Sequence, residues 1–239
     1  AYPEPFFTRM ALTAIDSALA EGDGETAAQW MDRLVRKGAH EGPLAAHVQY
    51  RRGRVQDVQG DTDRAEKTFA ELTVSRDRLH RTLATRDLIE LRLRTGKITP
   101  QEAAEEFEKL RFAWRGDALE LAIQRRLGEL HAEAKNYAQA FDTMRRTISL
   151  FPGDPQAREI ADRMTEIFTT LFVTDGAAHL SPLEALSLYE QYRELTPPGE
   201  AGDLIIRRLA ERLVEIDLLD RAAELLDQQV QFRLTGEEK

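Results

Sequence analysis

The chain contains no cysteine. Disulfides, thiolate metal sites and cysteine nucleophiles are therefore excluded. That absence leaves the compartment open, with a cytoplasmic setting expected over a periplasmic one. Glycine and proline are sparse, 14 and 9 in 239 residues, which favours long helices over a loop-rich β fold. No apolar run approaches the roughly 18 residues that span a bilayer. The best candidate, IFTTLF at 167–172, is far too short. Positive charge is not in excess: the net charge is −9 and the pI about 5.2, so no nucleic-acid partner is expected. Phosphate-cradling glycine loops and nucleophile elbows are missing as well.

What is present is repetition. The 42% of apolar residues suffices for a substantial core. Six alanines are each followed four residues later by a large side chain: Ala27 and Met31, Ala65 and Phe69, Ala103 and Phe107, Ala140 and Met144, Ala185 and Tyr189, Ala222 and Leu226. The alanines fall 38, 38, 37, 45 and 37 residues apart. A near-constant period in this range marks a solenoid. A small residue lets a neighbouring helix approach closely, and the large residue one turn on fills the gap beside it.

Turn signals precede the second helix of each unit: EGDGE at 21–25, QGDTD at 59–63, TGKITP at 95–100 and AKN at 134–136. TPQE and SPLE place Thr99 and Ser181 at N-caps, Pro100 and Pro182 at the first helical position, and Glu102 and Glu184 three residues after the cap. Asp154 caps and Pro155 opens the helix after FPGDP, and TPPGE at 196–200 restarts the chain in the same way. Between these signals apolar residues recur every three or four positions, and no strand is expected. The excess length in the 45-residue spacing falls near FVTDGAAHLSP, 172–182. It reads as a longer loop or helix extension, a tolerated insertion or else a partner-contacting loop.

LGELHAEAKNYAQAFDTMRRTISLFPGDP, from Leu127 to Pro155, resembles the tetratricopeptide repeat family. Leu127-Gly128, Tyr137, Ala140 and Pro152 fall where that pattern wants them, and Gly53, Gly60, Ala65 and Phe69 make the next best match. Twelve residues before the other key alanines stand Ile15, Leu91, Val173 and Ala210, so four units lose the glycine. The period also exceeds the family's, about 34. The resemblance implies an all-α, right-handed superhelical solenoid of about six antiparallel helix-turn-helix repeats. The approximate units are 8–41, 46–79, 84–117, 121–154, 160–199 and 203–236, in a single repeat domain over 1–239. The chain reads as cut from a longer array. AYPEPFF has neither an initiator Met nor signal-peptide character. Thr235 stands at capping-box spacing from Glu238, with a solvated charged tail as the alternative.

The resemblance implies a concave groove lined by the first helix of each hairpin, binding a protein or peptide. Counting back eleven, fifteen and eighteen from each key alanine gives Arg54 and Arg92, then Tyr50, Leu88, Arg125 and Arg207, then Arg9 and His47; Asp16 and Glu129 interrupt the lane. With 27 Arg against 6 Lys, some Arg falls anywhere. Arg nevertheless suits carboxylates, and an acidic or C-terminal peptide segment is the expected ligand. The carboxylate-clamp sub-type uses Asn, and the one Asn here, Asn136, lies in a turn. His40, His47, His80, His131 and His179 form no His-x-x-x-His pair, and His131 is assigned to packing. No enzyme activity, cofactor or metal is expected. A protein-interaction scaffold is the first reading. A structural spacer or self-associating assembly module is the second, and a regulatory domain of an enzyme encoded elsewhere is the third.

Overall fold

The computed structural model of the chain describes residues 4–38 and 42–232. Among them are twelve α-helices and no strand. They pair in sequence as six hairpins: α1 (Glu4–Ala20) with α2 (Gly24–Arg36), α3 (Ala45–Val58) with α4 (Thr62–Leu72), and α5 (Arg78–Arg94) with α6 (Pro100–Arg111). The remainder are α7 (Ala118–Glu133) with α8 (Tyr137–Leu150), α9 (Pro155–Val173) with α10 (Pro182–Gln191), and α11 (Glu200–Glu215) with α12 (Leu219–Phe232). The chain divides into two compact units, 1–123 and 124–239, and the division falls inside α7. The Thr235–Glu238 expectation lies outside the described residues.

The caps read from the sequence close as hydrogen bonds. Thr99 Oγ1 accepts from the Glu102 N–H at 3.2 Å while Glu102 accepts from the Thr99 N–H at 2.8 Å. Ser181 and Glu184 form the same reciprocal box, and Asp154 caps α9 with Pro155 at its first position. Each cap satisfies backbone donors that the helix start leaves without partners.

In the first unit, α1 packs on α2 and α3, and α3 packs on α4 and α5. One core cluster joins α1, α2 and α3 through Ala11, Ile15, Ala27, Leu34 and Val48. A second joins α3, α4 and α5 through Tyr50, Ala65, Phe69, Ala84 and Leu88. In the second unit α9 packs on α8 and α11, and α11 also packs on α10 and α12. Phe168 stands at its centre, with Phe141, Phe172 and Tyr189 rings 4.8–6.3 Å away. The long repeat spacing is absorbed by α9, which is 19 residues, and by a 3-10 turn over Asp175–His179.

All six key alanines are buried, none more than 3% exposed. Met31, Phe69, Phe107, Met144 and Tyr189 are buried beside them. The glycines twelve residues earlier are required by contact. A Cβ on Gly53 would lie 2.6 Å from the Phe69 ring, and one on Gly128 would lie 2.8 Å from Met144 Cγ. The large residue of the second helix is thus seated on the bare backbone of the first. Leu226, the sixth large residue, departs from the pattern at 39% exposure. With Leu219 and Val230 it forms an exposed apolar stripe along α12.

The turn inside a hairpin has its own constraint. In four of the hairpins the backbone five residues before the key alanine is left-handed: Gly22 at φ 75°, Gly60 at 81°, but also Lys135 at 62° and Asp217 at 64°. A side chain there carries a steric cost that glycine avoids. Lys135→Gly should therefore raise stability by up to about 1 kcal/mol in denaturant unfolding, while Gly60→Lys should lower it.

Candidate functional site

The eight lane residues divide between the two units. In the first, Arg9 is exposed on α1 and His47 is half-buried in the first turn of α3. Tyr50 and Leu88 do not line an open surface. They are 5% and 6% exposed and belong to the core cluster around Phe69. Both side chains pack into the cluster that joins α3, α4 and α5, whereas Arg207 at the same offset is exposed. The Tyr50 hydroxyl is satisfied there, donating to Asp87 Oδ2 at 2.6 Å, with Arg86 Nη2 at 3.4 Å. Burial first, and then the Asp87 charge, hold this hydroxyl well above the ordinary tyrosine range.

Arg54 and Arg92 occupy equivalent positions of α3 and α5 but have different surroundings. Arg92 Nε donates to Glu66 Oε1 at 2.8 Å, and Lys97 Nζ donates to Glu66 Oε2 at 2.5 Å. The bonds from Lys97 and Arg92 hold the Glu66 carboxyl below the ordinary range. Arg54 is half-buried and makes no hydrogen bond or ion pair among the described residues. Arg9 makes none through its guanidinium either.

In the second unit Arg125 is held by its own chain. Its Nε bonds Glu129 at 3.2 Å and its Nη1 bonds Glu159 at 3.0 Å. Arg207 is exposed on α11. Beside α7 and α9 lies a cleft of about 410 Å³ whose lining includes Glu129, Glu133, Glu166, Arg163 and Tyr137. The lane in this unit is richer in carboxylates than the expectation of a basic groove allowed.

Much of the arginine joins one repeat to the next. Arg51 of α3 grips Asp16 of α1, with Nη2 at 2.7 Å and Nε at 3.1 Å from the carboxylate oxygens. Arg94 pairs with Asp57, and Arg78 donates twice to the Ala113 carbonyl. Arg208 and Arg212 donate to the Val173 and Leu180 carbonyls. These partners lie 32–37 residues apart, about one repeat.

One cluster escaped the sequence reading. His47, Asp77 and His80 come together where the starts of α3 and α5 meet, with their potential ligand atoms within 4.8 Å of one another. Asp77 caps α5, accepting from the His80 N–H at 2.9 Å, and His80 Nδ1 lies 2.9 Å from the same oxygen. The histidines are almost one repeat apart in sequence, so a local spacing pattern cannot detect them. His131 is buried, in keeping with its packing assignment.

The tetratricopeptide repeat model matches residues 12–78 and 86–155, more than half of the chain. The chain belongs to the tetratricopeptide repeat family. The first match takes in the hairpins of Ala27 and Ala65, and the second those of Ala103 and Ala140. No curated protein matches the chain in sequence. Among solved structures, a tetratricopeptide repeat protein from Parabacteroides merdae ATCC 43184 is 14% identical, with a TM-score of 0.48, covering 97% of this chain and 95% of that one. The nearly identical TPR-like repeats of a Podosopora anserina putative kinesin light chain are 14% identical, with a TM-score of 0.44, covering 80% and 99%. BtubC (BKLC) from P. vanneervenii is 15% identical, with a TM-score of 0.40, covering 100% and 97%. Tetratricopeptide repeats generally serve as protein-interaction modules. No helix among the described residues is long and apolar enough to cross a membrane.

The Glu66 bridge offers a test of the electrostatics that position α5 on α4. Its partners are partly exposed, so Glu66→Gln should cost only about 0.5–1 kcal/mol at neutral pH. Because the folded state holds this carboxyl below its ordinary range, the stabilisation exists above the unfolded value and is lost as falling pH protonates Glu66. Unfolding curves of wild type and Glu66→Gln should therefore differ at neutral pH and converge on acidification.

Proposed function

We propose that the chain is a non-catalytic interaction scaffold that takes an acidic segment of a protein partner on the first-helix lane of its first unit. Arg54 carries the reading: it is a half-buried guanidinium with no hydrogen bond or ion pair among the described residues, whereas Arg51 on the same helix and Arg92 at the equivalent position of α5 are paired. A cation in that state meets a partner carboxylate without first losing an internal bond, and a charge-assisted bond contributes about 1.5–3 kcal/mol. Arg9 on α1 supplies a second available charge in the same unit. Arg92 can contribute only by exchanging its bond to Glu66, and Tyr50 and Leu88 support the lane from beneath.

The measurement is fluorescence polarisation with a labelled Glu- and Asp-rich peptide. Binding should weaken by about tenfold or more in Arg54→Ala, fall with added salt, and leave the melting temperature unchanged. Equal affinity of wild type and Arg54→Ala would remove Arg54 from the site.

A second reading, self-assembly, is favoured by the stripe on α12. The positions equivalent to Leu226 are buried in all five earlier hairpins. On α1, Met10 is exposed where the equivalent Val48, Ile123, Phe168 and Ile205 are buried. Both are exposed apolar positions whose counterparts in other hairpins are buried, and the occupant argued for α12 is α1 of a second copy. Such a heterologous contact propagates head to tail. Sedimentation should then show mass rising with concentration, abolished by Leu226→Glu. A monomer at all concentrations would discard this reading.

A further inference from the structure

We propose that His47, Asp77 and His80 form a binding site for one divalent transition-metal ion of the zinc class, located where α3 and α5 begin. Two imidazoles and a carboxylate suit Zn²⁺, whereas Ca²⁺ and Mg²⁺ prefer all-oxygen ligand sets. The three residues offer one donor atom each within 4.8 Å. The two rings lie with centroids 4.0 Å apart and planes tilted by 48°.

His80 Nδ1 and Asp77 Oδ1 stand 2.9 Å apart, at hydrogen-bond distance. Bonds of about 2.0–2.2 Å to a tetrahedral ion separate neighbouring ligand atoms by roughly 3.4 Å. The pair need open by only about half an ångström for an ion to take the place of the shared proton. The balance is direct: the His80 ring proton passes from Nδ1 to Nε2, and the freed Nδ1 lone pair and the Asp77 carboxylate bind the ion. His47, half-buried in the first turn of α3, turns one ring nitrogen inward as third ligand. Water completes the coordination, since the Asp77 side chain is 34% exposed.

The surroundings orient these ligands. The His80 N–H holds the Asp77 carboxylate through Oδ1, as outer-shell donors do at metal sites. The His80 side chain is only 2% exposed, so its ring is held by packing, with the Tyr50 ring 5.8 Å away. Arg51 is the cation facing the cluster, its Nη1 3.5 Å from His80 Nε2. Its Nε and Nη2 are committed to Asp16, which balances that charge. With the ion on Nδ1, the ring proton moves to Nε2 and the Arg51 contact loosens. Arg51 therefore opposes the metal, and Arg51→Gln should bind it at least as tightly as wild type.

The test uses the 239-residue chain, freed of metal by a chelator and titrated with Zn²⁺ alone in a calorimeter. Mg²⁺ serves as a control. One ion should bind per chain, and Mg²⁺ should not compete. His47→Ala, partly exposed and so tolerated by the fold, should weaken binding by at least about tenfold. His80→Gln should abolish it, and His179→Ala should leave it unchanged, with circular dichroism confirming each variant folded. No binding tighter than about 10 μM, or Zn²⁺ affinity unmoved in a folded His47→Ala, would overturn the proposal.

Discussion

The contact on which the rest of the structure depends is the seating of a large side chain from the second helix of a hairpin against a small position of the first. Phe69 on Gly53 and Met144 on Gly128 are its tightest forms. A helix carrying no Cβ at the crossing lets its partner come close enough for a buried alanine, Ala65 or Ala140, to sit at the centre of the hairpin. Where the glycine is replaced by Ile15 or Leu91, the large partner remains buried, and the added apolar volume becomes core. Interiors pack at crystal-like density, so each such choice fixes how the two helices meet. The hairpin then presents side chains for the next hairpin to cover, as repeat architectures require.

Between hairpins the work is shared by apolar clusters and arginine. Arg51, Arg94, Arg125, Arg208 and Arg212 each reach about one repeat along the chain to a carboxylate or a carbonyl. Arginine suits this role because its charge persists and its planar fork offers several donors. The same use depletes the surface of available cations. In the first unit Arg9, Arg36, Arg52, Arg54 and Arg76 keep guanidiniums without a hydrogen bond or ion pair among the described residues. The cleft beside α7 and α9, lined by Glu129, Glu133 and Glu166, has the opposite character.

The six hairpins were legible because their signals are local. Ala27 to Ala222 mark a period, Thr99 and Ser181 write caps within four residues, and Gly53 and Gly128 stand at a fixed distance from their alanines. The lane was only partly legible. Counting back from an alanine gives a helix face, but a face does not reveal whether Tyr50 finds Asp87 or whether Arg92 finds Glu66, since those partners are 37 and 26 residues away. Arg54 and Arg92 look alike in sequence and differ only through what the neighbouring helix presents. His47 and His80 stayed hidden for the same reason. Left-handed Lys135 was invisible because lysine has no preference for that conformation, and Asp217 signals it only weakly.

The close contact can be measured directly with a double-mutant cycle of Gly53→Ala and Phe69→Leu, read by denaturant unfolding. Alanine is the better helix former, so any cost of Gly53→Ala reports the collision with the Phe69 ring. The account predicts that Gly53→Ala destabilises the wild-type chain and does so much less in the Phe69→Leu background, a coupling of about 0.5–3 kcal/mol. Additive effects, or a Gly53→Ala variant as stable as wild type, would contradict it.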